Sequence, residues 1–367
     1  MNIQYHKMFG SRHMHYSFWL SLLSLASLVQ SGVSPGCGKP LDHGVHPGHS
    51  TDIYIQVNDP GLGEVTRYFR FHVPKSYDIN TPLGLVVDYH GWTGDAHSQE
   101  KDSYFTAVAD MDPVGFFVAT PNGMADNKGG MGSFNCSKTN GPLGPPCDTD
   151  RAKYGEIECY DSCPHCDSSN SCDWTTCFDD VAFTRAMIDF VADSFCIEMN
   201  SVHQSGISNG GMFSYFIASQ MSDVFASLAP VAGAPLIGFG DVPSTPVSLI
   251  DIHGINDDTI PYDLAHAEGE GPYESVISWD GYYYEQKTKV ITKWREGLNC
   301  SPEPANYATP MDGVSGWECS VWSGCEGGVE VVHCTADHYH DYPFGAENQY
   351  IEGTKIMWHF MNTHQKM

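Results

Sequence analysis

Positive charge is scarce in this 367-residue chain: 18 Lys and Arg stand against 45 Asp and Glu, for a net charge of −27. Such an acidic surface repels nucleic-acid phosphates and anionic lipid headgroups, which argues against polyanion binding as the main task. Long apolar runs are also missing. Past the N-terminal segment, no stretch reaches the roughly 18–20 apolar residues that a membrane-spanning helix needs. There is no internal repeat at a period of about 20–50 residues, and no Pro/Ser/Thr-rich linker divides the chain. Disorder is a poor fit too, because apolar residues make up 41% and aromatics 12%. What remains is one enzyme-sized core.

Cysteine, by contrast, is plentiful. Thirteen cysteines point to an oxidising compartment, and the odd count leaves at least one either free or paired with another chain. The N-terminus agrees. Lys7 and Arg12 precede an apolar stretch from Phe18 to Val29, which exits at Ser31 and Gly32. That pattern reads as a secretory signal peptide over residues 1–32, leaving one catalytic domain over 33–367. Its removal takes away two cations and no acid, so the net charge moves from −27 to −29. Asn135-Cys136-Ser137 and Asn299-Cys300-Ser301 are sequons compatible with N-glycosylation.

Strand-like and helix-like stretches alternate along the chain. Tyr68–Val73 alternates like a half-exposed strand, while Leu83–Tyr89, Gly115–Ala119 and Pro246–Ile252 are short apolar runs suited to buried strands. Helical spacing marks Phe178–Ile197, the segment after Ser208, and Thr354–Met361. The expected architecture is α/β, with a mostly parallel central sheet and helices on both faces. One segment departs from it. About residues 136–177 hold seven cysteines among many Gly, Pro, Asp and Ser, which reads as a disulfide-stapled insertion. Cys163-Pro164-His165-Cys166 has zinc-ligand spacing, but a secretory signal upstream favours disulfides over thiolate–metal bonds.

The sharpest chemical signal is Gly206-Ile207-Ser208-Asn209-Gly210, a G-x-S-x-G between a short strand and a helical pattern. The glycines permit a tight strand-to-helix turn that lifts the serine hydroxyl to a helix N-terminus, where the Asn209 N–H faces a developing oxyanion. Downstream, Asp257 and Asp258 follow a strand, and His338 and His340 precede the last helix. Ser, then Asp, then His is the chain order of α/β-hydrolases. Spacing does not choose between the two histidines or the two carboxylates. Asp88-Tyr89-His90-Gly91-Trp92 runs from a strand into the position of the second oxyanion donor, the N–H of Trp92. His90, Trp92 and Tyr262 are candidate substrate contacts. Trp174 and the run Tyr282-Tyr283-Tyr284 are candidate aromatic platforms.

Ser208-Asn209-Gly210-Gly211-Met212, the pattern His253-Gly254 to Asp257 to Ile260-Pro261-Tyr262, and His340 followed by Pro343 together resemble the polyhydroxybutyrate depolymerase/feruloyl esterase family of secreted hydrolases. Cys37-Gly38-Lys39-Pro40 and Val73–Asp78 are similar to that family's opening. The resemblance implies an α/β-hydrolase fold and a serine carboxylesterase with Ser208 as nucleophile, Asp257 as acid and His340 as base. Such chemistry needs no metal and no organic cofactor. The implied partner is an ester-bearing polysaccharide or polyester: feruloyl esters of plant cell wall first, polyhydroxybutyrate second. A reading from another class is a non-catalytic carbohydrate-binding protein on a hydrolase fold. Oligomeric state is not legible.

Overall fold

The computed structural model describes residues 32–126, 132–136, 141–152, 160–163, 172–308, 317–342 and 350–366. Residues 1–31 of the expected signal segment, Cys159, Cys166 and Pro343 lie outside the described residues.

The chain opens with a long hairpin, β1 (His49–Asp59) and β2 (Gly63–Val73), and continues into β3 (Leu83–Tyr89). Next come α1 (Ala96–Ser103), α2 (Phe105–Met111), β4 (Phe117–Pro121) and a one-turn α3 (Thr149–Ala152). The central repeat is α4 (Asp180–Ser194), β5 (Ile197–Ile207), α5 (Asn209–Gln220), β6 (Ser227–Val231) and β7 (Ser248–Gly254). Three two-residue strands follow, β8 (Gly269–Glu270), β9 (Val276–Ile277) and β10 (Tyr283–Tyr284), then α6 (Lys287–Gly297). The chain closes through β11 (Ala305–Asn306), β12 (Trp317–Trp322), β13 (Val331–Ala336) and α7 (Tyr350–Thr363).

Ten strands form one sheet in the order β1-β2-β4-β3-β5-β6-β7-β13-β12-β11. From β4 to β13 every pairing is parallel; the flanking pairs are antiparallel. The parallel strands are buried along almost their whole length, which is why they read as largely apolar runs, interrupted by buried polar residues such as Asp88, Asp251 and His253. A large core containing Phe71, Phe117, Phe183 and Phe213 and a second one containing Phe116, Ile250 and Trp358 bury the sheet. This is the expected α/β-hydrolase fold.

Strand order decides where chemistry can sit. β5 lies at the centre between β3 and β6, so the turns leaving β3, β5, β7 and β13 cluster at the carboxyl ends of adjacent parallel strands. Among the described residues, five disulfides join Cys37–Cys196, Cys147–Cys172, Cys163–Cys177, Cys300–Cys325 and Cys319–Cys334. Cys163 is therefore a disulfide partner of Cys177, not a zinc ligand. Cys136 is buried and unbridged.

Candidate active site

Ser208 stands between the last residue of β5 and the first of α5, with φ 57° and ψ −118°, a backbone conformation that non-glycine residues rarely adopt. The turn closes only because its neighbours lack side chains. A Cβ on Gly210 would sit 2.2 Å from the Tyr89 carbonyl oxygen, and one on Gly206 would sit 2.6 Å from the Gly210 carbonyl carbon. The Asn209 N–H occupies the first helical position of α5, where no intrahelical acceptor exists, and the helix dipole favours negative charge there.

The loops after β7 and β13 complete the constellation. His340 Nε2 lies 2.8 Å from Ser208 Oγ, and His340 Nδ1 lies 2.8 Å from Asp257 Oδ2. Because the carboxylate only accepts, the imidazole carries its proton on Nδ1 and turns the Nε2 lone pair toward the serine hydroxyl. Asp257 is fully buried and saturated with donors. Its Oδ1 accepts the N–H groups of Thr259 and Ile260, each at 2.9 Å, and its Oδ2 also faces His253 Nε2 at 3.2 Å. Burial pushes this carboxyl up, but hydrogen bonds from His253 and His340 outweigh it and hold the group below the usual carboxylate range. A serine, an imidazole and an anionic carboxylate joined this way have the parts of an acyl-transfer relay.

The rival residues are elsewhere. His338 Nδ1 bonds Asp341 at 2.8 Å on the surface, and Asp258 is exposed. His253 was not singled out from the sequence. It is fully buried, and its Nε2 faces two acceptors, Asp257 and the Ile260 carbonyl oxygen at 3.0 Å, so it carries a proton there and acts as a neutral donor. Its position four residues before Asp257 in the strand was the available signal. Beneath it, buried Lys287 pairs with Asp251 at 2.7 Å, and Asp251 accepts from His333 Nδ1 at 2.7 Å.

Two candidate substrate contacts turn out to be supports. His90 is buried, accepts the Gly123 N–H at Nε2 (2.8 Å) and donates from Nδ1 to the Gly91 carbonyl oxygen (2.7 Å). Burial lowers its pKa to about 4, so it stays neutral and braces the loop that carries Trp92. Tyr262 bonds His333 Nε2 at 3.1 Å and stacks on that ring. It is not among the residues lining the cleft. Both were expected from proximity in sequence, which does not report the direction of a side chain. The Asn209 side chain likewise works inward, exchanging hydrogen bonds with the backbone of Phe134 at 2.8 and 3.0 Å.

Ser208 and His340 open onto a cavity of about 430 Å³. Trp92, Trp174, Trp279 and Tyr282 supply its aromatic walls, with Gly91, Ile207 and Thr259 between them. Asp280 is the single carboxylate among the described lining residues. The disulfide-stapled insertion supplies Trp174 to this wall and backs the rest of it. Tyr160 accepts from Trp92 Nε1 at 2.7 Å, and Trp174 follows Cys172, which is bridged to Cys147. Cys147 forms an isolated bridge with Tyr282, and the Asp148 N–H bonds the Gly281 carbonyl at 2.8 Å. Trp92, Trp174 and Tyr282 were candidates from sequence, but Trp279, Asp280 and Thr259 were not.

No family model matches the chain. Among curated proteins it is 24% identical over 327 residues to a probable feruloyl esterase C of Aspergillus niger, covering 87% of this chain and 88% of that one. It is 26% identical over 242 residues to feruloyl esterase C of Emericella nidulans (64% and 66%). It is also 22% identical over 294 residues to the bifunctional acetylxylan esterase/xylanase XynS20E of Neocallimastix patriciarum (80% and 33%). Among solved structures, an acetyl xylan esterase from Aspergillus awamori superposes with a TM-score of 0.50 at 13% identity, over 83% of this chain and 99% of that one. The fold and these relatives define a carboxylic ester hydrolase of the α/β-hydrolase class. Within that class the chain is similar to the feruloyl esterases, the group its motifs resemble.

Proposed function

We propose that this esterase is an exported feruloyl esterase that frees hydroxycinnamate from plant cell-wall polysaccharide. The observation that carries this reading is the cleft: the Ser208–His340 pair faces a cavity walled by three tryptophans and a tyrosine. Such walls suit a flat aromatic acyl group, and the volume lies within the roughly 300–1,000 Å³ of small-molecule sites. An aliphatic hydroxybutyrate unit would leave most of that aromatic surface uncontacted. Five disulfides support export, because such bonds persist in oxidising compartments.

In this reading His340 Nε2 takes the Ser208 proton as Oγ attacks the ester carbonyl carbon. Asp257 fixes the imidazole and stabilises its protonated form. The N–H groups of Asn209 and Trp92 hold the oxyanion, the imidazolium protonates the departing sugar oxygen, and a water deprotonated by His340 then releases the acid. Methyl ferulate and a polyhydroxybutyrate film, offered separately, test the substrate. Ferulate release should dominate, and Ser208→Ala should reduce it by roughly a thousandfold or more. Faster erosion of the film would assign the polyester role instead. A Ser208→Ala protein as active as wild type would remove the triad.

A further inference from the structure

The cleft is almost wholly apolar apart from its reacting pair, so the carboxylate of Asp280 within it calls for a reason. Asp280 is half-buried and held from two sides. The Ser278 hydroxyl donates to its Oδ1, and Trp174 Nε1 donates to its Oδ2 at 3.3 Å. Its turn is pinned as well: the Gly281 N–H bonds the Ser278 carbonyl at 2.9 Å, and the Ser278 N–H bonds the Tyr282 carbonyl at 3.0 Å. The insertion clamps the same turn through Asp148 and Cys147. A carboxylate has about four acceptor sites and no donor, so two occupied sites leave others free.

We propose that Asp280 reads the acyl group: its carboxylate accepts a hydrogen bond from the free ring hydroxyl of a hydroxycinnamoyl ester, and so selects phenols over their O-methyl ethers. The inference rests on the hydroxycinnamoyl reading of the cleft. A phenolic hydroxyl donates to the carboxylate in a charge-assisted bond, whereas a methoxy oxygen has no proton to give and sets its lone pairs against the negative charge. The aromatic walls bind both rings alike, so they contribute little to the choice. Trp174 serves twice, as a wall and as the donor that orients Asp280.

Methyl 4-hydroxycinnamate and methyl 4-methoxycinnamate form the minimal pair. Wild type should prefer the hydroxy ester in kcat/KM by roughly ten- to a hundredfold, the range for one hydrogen bond to a charged group. Asp280→Asn keeps the size and an acceptor for Trp174 but adds an N–H donor that suits the ether. The preference should fall about tenfold or more, or invert. The ratio is taken within each protein, so a general loss of activity cancels, and the wild-type ratio stands even if the variant does not fold. Wild type that turns over both esters equally, or Asp280→Asn that keeps the wild-type ratio, overturns the role of Asp280 alone. Wild type that cleaves p-nitrophenyl acetate but neither cinnamate overturns the hydroxycinnamoyl reading and this inference with it.

Discussion

Asp257, itself unexposed to solvent, receives four donors, two from the backbone and one from each of two histidines. That arrangement fixes the carboxylate in place and keeps it anionic when His340 gains a proton. His340 alone touches both Asp257 and Ser208, while His338 is spent on a surface pair with Asp341. An exposed pair of that kind contributes little to stability. His340→Gln should therefore abolish ester turnover at every pH, because Gln supplies no titrating base, while His338→Gln should keep most of it. Steady-state rates on p-nitrophenyl acetate from pH 5 to 9 check both. Equal losses in the two variants would mean that His338 positions the loop.

The elements around the site are tied by buried polar links rather than by apolar packing alone. Gln99 of α1 donates to Asp88 at the end of β3 (2.9 Å) and to Tyr342 in the histidine loop (2.6 Å), so one amide spans the two structures that flank Ser208. Burial, only partly offset by hydrogen bonds, pushes the Asp88 carboxyl up to about 7. Between about pH 4 and 7 the folded protein keeps this proton while the unfolded chain has released it, so stability falls as pH rises. Asp88→Asn keeps an acceptor for Gln99 and removes the titration. Thermal melts should show the variant close to wild type near pH 4 and more stable at pH 8, by on the order of 2–4 kcal/mol. A gap independent of pH would place the proton elsewhere.

Across the whole molecule, covalent links join segments far apart in sequence. Cys37–Cys196 fastens the N-terminal segment to the start of β5 across 159 residues, and Cys319–Cys334 staples the β12–β13 pair near the histidine loop. Each bridge contributes roughly 2–4 kcal/mol by restricting the unfolded chain, so reduction should lower the melting temperature sharply. Among the described residues ten cysteines are bridged, so of the 13 in the chain at most three should titrate as thiols in denatured, unreduced protein. In the native protein Cys136 should not react, because burial pushes its thiol up to about 12. More than three thiols on denaturation would contradict this bridging.

The sequence by itself determined what local sterics and periodicity dictate. Leu83–Tyr89 reads as a strand because, Asp88 apart, it is the continuous apolar run expected of a strand buried on both faces. The turn at Ser208 reads from its glycines, since a Cβ at Gly206 or Gly210 would collide with backbone atoms. β11 was not legible because it is only two residues long, and α6 was not because its buried Lys287 is matched only by Asp251 of β7. Within the site, sequence supplied Ser208, spacing left two carboxylates and two histidines open until the family resemblance implied Asp257 and His340, and sequence pointed His90 and Tyr262 at the substrate. Only the tertiary structure shows which way each side chain faces. The direction of a side chain depends on what packs behind it, and the walls of the cleft come from three loops, around Trp92, Trp174 and Trp279, that meet only once the sheet has ordered its strands.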